Sequence, residues 1–226
     1  MAYLALDTSS EYLSLAVSTP HGVVARDWHV GQRHAERTLP ELEALLTEAG
    51  ITRADLAGIA YGMGPGSFTG LRIGCGIAQG LAFGLGVKLV GVSTLAALAA
   101  ASPAERIYAA IDARMNQVYA AAFERDGTSW HEIVAATVCD PDAVPLPPGA
   151  GWHGVGSGFA AYEAALCAQL GPQLATTEPQ RFPHARAVLE LALPLFASGA
   201  ALPPEAAPLV YLRDKVALKT HERAKP

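Results

Sequence analysis

The 226-residue sequence predicts an α/β protein of two lobes, each opening with a β-β-β-α-β-α unit. Three observations carry this prediction. Apolar residues recur at a period of two in some segments and 3.6 in others, which separates strands from helices. In the first half the resulting order is β-β-β-α-β-α-β-α. Tyr3, Asp7 and Gly22 then recur as Tyr108, Asp112 and Gly127, each 105 positions later, where three more strands begin. A fixed offset of that kind is the mark of an internal duplication.

The elements follow in order. Residues 3–7 form a short apolar run ending in an acid and read as a buried strand. Residues 12–19 alternate, with Leu13, Leu15 and Val17 on one face. Pro20-His21-Gly22 marks a turn, residues 23–29 a third strand, and the three together an antiparallel meander. A helix over residues 36–49 places Leu39, Leu42, Leu46 and Ala49 on one stripe. Pro40 fits its first turn, and Gly50 stops it. Residues 58–63 read as a strand, Gly64-Pro65-Gly66 as a tight loop, residues 67–85 as a long helix and residues 88–92 as another strand. Ser93 or Thr94 then caps a short helix into Ala101.

The second half repeats the opening, with strands over 106–113, 117–124 and 130–138 and a turn at Arg125-Asp126-Gly127. The proline-rich stretch 140–148 reads as a surface loop. Helices are predicted near 157–170 and 184–198. Pro203, Pro204 and Pro208 lead into a segment containing Tyr211-Leu212-Arg213. The expected lobes are residues 1–104 and 105–226, with the end of the chain able to pack back on the first. A duplicated unit of this order is the pattern of the actin-like ATPase, Hsp70 and sugar-kinase (ASKHA, RNase H-like) architecture. A pattern licenses a fold and no activity.

Composition narrows the function. Apolar residues make up 51% of the chain and charged residues 16%, which excludes a disordered chain. The net charge of -5 argues against a dedicated nucleic-acid surface, so RNA is expected to be met through a partner. Arginine outnumbers lysine twelve to four, which reads as a GC-rich genome and is silent on function. The three cysteines, Cys75, Cys139 and Cys167, are far apart and unpaired in spacing, which points to a reducing cytoplasm. No signal peptide is read at the N-terminus. The most apolar stretch, 77–101, is too interrupted to span a membrane.

Three local features can carry chemistry. Asp7-Thr8-Ser9-Ser10 lies in the first hairpin turn. It reads either as a phosphate-holding turn in which Asp7 positions water or Mg²⁺, or as a polar turn closed by its own side chains. Gly64-Pro65-Gly66-Ser67 opens a helix whose N-terminus can hold an anion, or it is a tight turn that brings the helix close to its neighbour. It is neither a Walker A loop nor a nucleophile elbow. Gly154-Val155-Gly156-Ser157-Gly158 is a weaker candidate, with Phe159 where a dinucleotide fingerprint needs glycine.

The long helix is the third feature. Gly70, Gly74, Gly76, Gly80 and Gly84 each cost roughly 1 kcal/mol relative to alanine, so close packing must offset them. Gly66, Gly70, Gly74, Ala78 and Ala82 form one small-residue row; Gly76, Gly80 and Gly84 form another. One row can face the chain's own sheet, which leaves room for a second partner. The seven histidines are scattered without a His-x-x-x-His pair, so no metal and no cofactor is expected.

Several runs together resemble the TsaB (YeaZ) family. They are residues 4–9 (LALDTS), 34–40 (HAERTLP), 64–74 (GPGSFTGLRIG), 92–95 (VSTL), 111–114 (IDAR) and 211–213 (YLR). The resemblance spans nearly the whole chain in order, and the GPGSFTGLR run is its most specific part. It implies a two-lobed actin-like fold and a role in making threonylcarbamoyladenosine beside the anticodon of tRNAs that read A-starting codons. In that pathway the metal-containing sister protein TsaD transfers the threonylcarbamoyl group. TsaB is its non-catalytic partner, and the small ATPase TsaE joins them.

The implied partners are therefore a TsaD-like subunit, a TsaE-like ATPase, a second copy when the chain is alone, and tRNA only through the complex. The implied interface uses the helices carrying Leu39, Leu42, Leu46, Phe68, Gly70, Leu71, Gly74, Cys75 and Ala78. Asp7, Thr8, Ser9, Gly64 and Gly66 are the weaker nucleotide candidates. Where the catalytic sister carries a His-x-x-x-His metal pair, this chain has Thr94 and Leu98, and leucine cannot ligate a metal. The competing readings are a small-molecule kinase or ATPase of the same fold, with Asp7 and Asp112 supplying one carboxylate each, and a glycoprotease-like metalloenzyme.

Overall fold

In the computed structural model, which describes residues 1–213, the alternation in the first thirty residues builds the meander. β2 (Tyr12–Thr19) runs antiparallel to both β1 (Ala2–Asp7) and β3 (Gly22–His29). β4 (Leu56–Gly64) and β5 (Lys88–Ser93) add parallel strands on the other side of β1, giving the order β3-β2-β1-β4-β5. The second sheet repeats this arrangement. β6 (Arg106–Arg114), β7 (Gln117–Asp126) and β8 (Ser129–Cys139) form the meander. β9 (Trp152–Val155) and β10 (Leu174–Glu178) are the parallel additions. Asp7 ends β1, and Asp112, at the offset of 105, lies two residues before the end of β6. The chain has the actin-like fold.

The repeat is not complete. β9 and β10 escape the sequence reading, because four residues around a glycine and five flanked by loops show no resolvable period. The second unit also lacks a counterpart of α1 (His34–Glu48). The proline-rich stretch stands in its place, and it is more than the surface loop expected. Pro141, Val144 and Pro147 are buried. Carbonyls of the segment accept hydrogen bonds from the Tyr108 hydroxyl (2.8 Å, to Pro145) and the Trp152 indole (3.0 Å, to Pro148). Proline has no N–H to leave unpaired, which suits it to an irregular buried segment.

Helices cover the sheets, and two of them cross over. α1 and α2 (Phe68–Leu85) bury Leu42, Leu45, Leu46, Cys75, Ala78 and Ala82 against Leu4, Leu6, Leu13, Leu15 and Ile59. The opposite face of that sheet is closed by α5 (Ala185–Ala197) from the second half. Its Val188, Leu189 and Ala192 pack with Ala5, Ala16, Ala60 and Val90. Ala185 N donates to Ser14 Oγ at 2.7 Å, which seats the start of α5 on β2. α3 (Thr94–Ala100), from the first half, buries Leu95, Leu98 and Ala99 on the second sheet, beside Ile107, Ala109 and Phe123. α4 (Ser157–Leu170) covers that sheet's other face. No helix among the described residues is long and apolar enough to cross a membrane.

Beyond α5 the chain runs back along the first lobe as a strap. Leu202 pairs with Leu89, and Gln79 Nε2 donates to Pro204 O at 2.9 Å. The buried Tyr61 hydroxyl donates to Pro208 O at 2.6 Å, and Val210 N donates to Met63 O at 2.8 Å. Tyr61→Phe removes the hydroxyl and leaves that carbonyl with one partner fewer. It is expected to cost about 1 kcal/mol, seen as a melting point lower by about 2–4 °C. An unchanged melting point would show that Tyr61 does not hold the strap.

Candidate functional site

α2 carries both rows of small residues, and the structure shows which way each faces. Ser67 caps it, its hydroxyl accepting from Gly70 N at 3.3 Å, and Gly86 at φ 67° ends it. The row of Gly66, Gly70, Gly74, Ala78 and Ala82 faces the chain's own first turn and sheet. A Cβ on Gly70 would lie 2.0 Å from Thr8 O, and one on Gly74 would lie 2.3 Å from Thr8 Oγ1. The Thr8 hydroxyl donates to Gly70 O at 2.8 Å across that contact.

The other row faces away. Gly76, Gly80 and Gly84 are exposed, and a Cβ on any of them would meet nothing within 4 Å among the described residues. Phe83, on the same face, is 82% exposed.

The interface residues expected from sequence divide between core and surface. Leu42, Leu46, Gly70, Leu71, Gly74, Cys75 and Ala78 are all buried in the chain's own core. Leu39 on α1 and Phe68 remain available, at 42% and 39% exposed. The accessible face of this helix pair is made by Leu39, Phe68, Gly76, Gly80, Phe83 and Gly84. Two equal small-residue rows do not announce which one turns inward. The only signal is that the inner row ends in Ala78 and Ala82, whose methyls fill core space, whereas the outer row is glycine throughout.

The second candidate is a cleft of about 970 Å³ between the lobes. The structure brings the Asp7-Thr8-Ser9 turn and the glycine-rich turn together beside it, but it spends them on each other. Ser67 N donates to Ser9 O at 2.8 Å. Asp7 Oδ1 accepts from Ser9 N (2.9 Å) and Ser9 Oγ (2.6 Å). Gly64 and Gly66 are pressed against Val210 O and Ser9, which occupy the space a Cβ would take.

Of the five nucleotide candidates only Ser9 and Gly66 line the cleft; Asp7, Thr8 and Gly64 lie behind its wall. Asp7 Oδ2 is buried without a hydrogen-bond partner among the described residues, in a gap that only a glycine at position 62 leaves open. Burial pushes its carboxyl up to about 6, against the pull of the Ser9 donors. The Gly154–Gly158 run is likewise structural. Gly154 makes room for the Phe159 ring, and Gly156 and Gly158 lie against Ala110.

The facing wall belongs to the turn between β6 and β7. Arg114, Met115 and Asn116 all have positive φ (61°, 55° and 58°), a conformation that costs L-residues other than glycine and asparagine. Arg114 holds Asp112 through its backbone N–H (2.8 Å) and guanidinium (3.0 Å). Arg213 clamps the same turn from outside, donating to Ala113 O (3.0 Å), Arg114 O (3.3 Å) and Gln117 Oε1 (2.8 Å). Two residues earlier, the Tyr211 hydroxyl accepts from Arg72 Nε at 3.1 Å, and the Arg72 guanidinium lies 3.6 Å from the Phe68 ring centre. The Tyr-Leu-Arg run therefore ties the start of α2 to the second lobe. Sequence reading noticed that run but had no means of pairing it with residues about 100 and 140 positions away.

Thr94 and Leu98, the positions that the resemblance sets against a metal pair in the sister family, are both fully buried. A leucine and a threonine hydroxyl do not fit a divalent metal. Among the described residues no three His, Cys, Asp or Glu side chains converge.

With this geometry in hand, the known relatives are informative. The TsaD family model, described as tRNA N6-adenosine threonylcarbamoyltransferase, matches residues 14–218. The Escherichia coli K12 tRNA threonylcarbamoyladenosine biosynthesis protein TsaB is 39% identical over 97% of each chain. The Haemophilus influenzae protein of the same name is 35% identical over 97% of this chain and 96% of its own. The chain belongs to the TsaB family. The solved structure of YeaZ from Pseudomonas aeruginosa superposes with a TM-score of 0.87 at 36% identity. That match covers 93% of this chain and 99% of the YeaZ chain. The kinship of TsaB-family chains with the transferase family is visible in the family match.

Proposed function

We propose that this TsaB-family chain is a non-catalytic subunit of tRNA threonylcarbamoyladenosine formation. It binds a TsaD-like transferase through the outward face of α1 and α2 and supports transfer of the threonylcarbamoyl group to the adenosine beside the anticodon. The observation that carries the reading is the outer row of Gly76, Gly80 and Gly84 beside the exposed Phe83. Three exposed helical glycines cost roughly 3 kcal/mol together, and nothing among the described residues packs into the space they leave. A second helix laid along them does, with Phe83 as its anchor. A second copy fills the same face when the chain is alone. A TsaE-like ATPase and tRNA join through the assembled complex, in the cytoplasm.

Reconstitution tests this. Purified TsaD-like protein, the adenylate-forming synthase, the TsaE-like ATPase, ATP, threonine, bicarbonate and tRNA are combined with and without this chain. Modified nucleoside should form only in its presence, and the chain should co-elute with the transferase. Equal product without it would sink the proposal. The roomy cleft favours one second reading, a small-molecule kinase or ATPase; sustained ATP turnover by the isolated chain would establish that reading instead.

A further inference from the structure

α2 carries one charged residue in eighteen, and it lies on the outward ridge. Counting back by fours from Gly84, Gly80 and Gly76 gives Arg72 and then Phe68, so the glycine row runs on into an arginine and a ring. Residues four apart form the ridge along which a second helix packs. Arg72 is exposed, yet the structure holds it in place. Its guanidinium carbon sits 3.6 Å from the centre of the Phe68 ring and 5.7 Å from that of the Tyr211 ring. Its Nε donates to the Tyr211 hydroxyl at 3.1 Å.

Every one of those partners is neutral. Arg26, Arg37, Arg53, Arg106, Arg114 and Arg181 each pair with a carboxylate, and among the described residues Arg72 does not. A guanidinium stacked on a ring keeps its outer N–H groups free for a planar carboxylate. The neighbouring α1 carries Glu36, Glu41, Glu43 and Glu48 against Arg37, which is committed to Glu41. The helix pair thus presents one uncommitted arginine, at one end of the glycine row. At 1.5 Å per residue it stands about 18 Å along the helix from Gly84.

Such a residue costs nothing in water and a great deal under a partner. Covering it strips water from a charge that its neighbours do not cancel, and only an opposite charge at hydrogen-bond distance offsets that loss. We propose that Arg72 is a specificity residue of the partner face, taking a carboxylate from the transferase helix laid along Gly76, Gly80 and Gly84. The inference rests on the proposed function above and deepens it. Glycine lets any helix approach, whereas the arginine selects among helices. It sets direction and register, because a carboxylate meets a cation at the Arg72 end and the glutamates of α1 disfavour it elsewhere. Phe68 and Tyr211 hold the guanidinium ready, so the strap contributes to partner choice from outside the helix pair.

The test measures association of the full chain with the TsaD-like transferase for Arg72→Gln, Arg72→Lys and Arg72→Glu, beside thermal melts of each chain alone. Arg72→Gln should weaken association roughly 30-fold or more, the loss expected when one member of a covered ion pair is removed. Arg72→Lys keeps the charge without the fork and should recover part of that loss. Arg72→Glu sets two carboxylates together and should be the weakest. Each acid on the transferase's exposed helices is then changed to arginine, one at a time, and paired with the Arg72→Glu chain. One such exchange should restore association at least about tenfold. Wild-type affinity of the Arg72→Gln chain would overturn the proposal, as would failure of every exchange to restore binding. Tyr211→Phe removes the supporting hydroxyl and keeps the charge, so it should cost about fivefold or less. A loss equal to that of Arg72→Gln would make Arg72 a brace for the strap and overturn the proposal. Full-strength association with weaker tRNA binding by the complex would make Arg72 an RNA contact and overturn it as well. If the unaltered chain does not bind the transferase, the functional reading itself fails, and that result is read before any variant is compared.

Discussion

Gly80→Leu is expected to leave the isolated chain folded and slightly more stable while it abolishes partner binding. Position 80 is exposed, and a Cβ there meets nothing within 4 Å. Replacing a helical glycine with leucine gains most of about 1 kcal/mol, a rise of about 2–4 °C in melting point. On the proposed face, however, a leucine fills the groove that a second helix needs. Loss of that close approach is expected to weaken association by about 100-fold or more, about 3 kcal/mol. Thermal melts and sedimentation of the chain with the TsaD-like protein read the two effects separately.

Gly74→Leu is the contrasting case. The sequence makes it look like an interface substitution, but position 74 lies against Thr8 Oγ1 and Leu6. It should yield little folded protein and so says nothing about partners. Association of the Gly80→Leu chain at wild-type strength would remove the outward face from the proposal.

The second large effect concerns Asp7. Its carboxyl is held near 6 by burial, against 3.8 for a free aspartate. The folded chain therefore holds a proton that the unfolded chain has released across that window. Stability falls as pH rises from about 4 towards 6.5, and the full penalty is present above it. The difference of about two pH units corresponds to at most about 3 kcal/mol. Asp7→Asn keeps an oxygen for the two Ser9 donors and stays neutral at every pH. The variant should match the wild type near pH 4 and exceed it by up to about 3 kcal/mol at pH 7.5. Denaturant melts at four or five pH values check this; parallel pH curves for the two proteins would show that Asp7 is not the ionising group.

Much of the fold was legible because its elements are long or strongly patterned. Residues 12–19 alternate through eight positions, and of the two candidate caps, Ser93 and Thr94, Ser93 caps α3, its hydroxyl accepting from Ala96 N. Legibility failed where local pattern and tertiary use diverge. Trp152–Val155 is too short to show a period. The 140–148 stretch has the composition of a surface loop, yet it buries Pro141, Val144 and Pro147. For the candidate site, the helices were readable and the facing was not. Glycine has no side chain to reveal whether a helix face meets its own sheet, another molecule or water. The cleft was unreadable for a different reason, since it is assembled from turns brought together across more than 100 residues.

The crossing of α5 sets an order of assembly on the ribosome. The first sheet is fully synthesised by residue 93, yet the face formed by Ala5, Ala16, Ala60 and Val90 has only Ala97 and its α3 neighbours for cover until Val188 and Leu189 emerge. At roughly 5–20 residues per second, that apolar face waits on the order of 5–20 s in a nascent chain. The second lobe, whose own cover includes α3, can close earlier. Its completion delivers α5 to the waiting sheet, so the lobe made first is finished last.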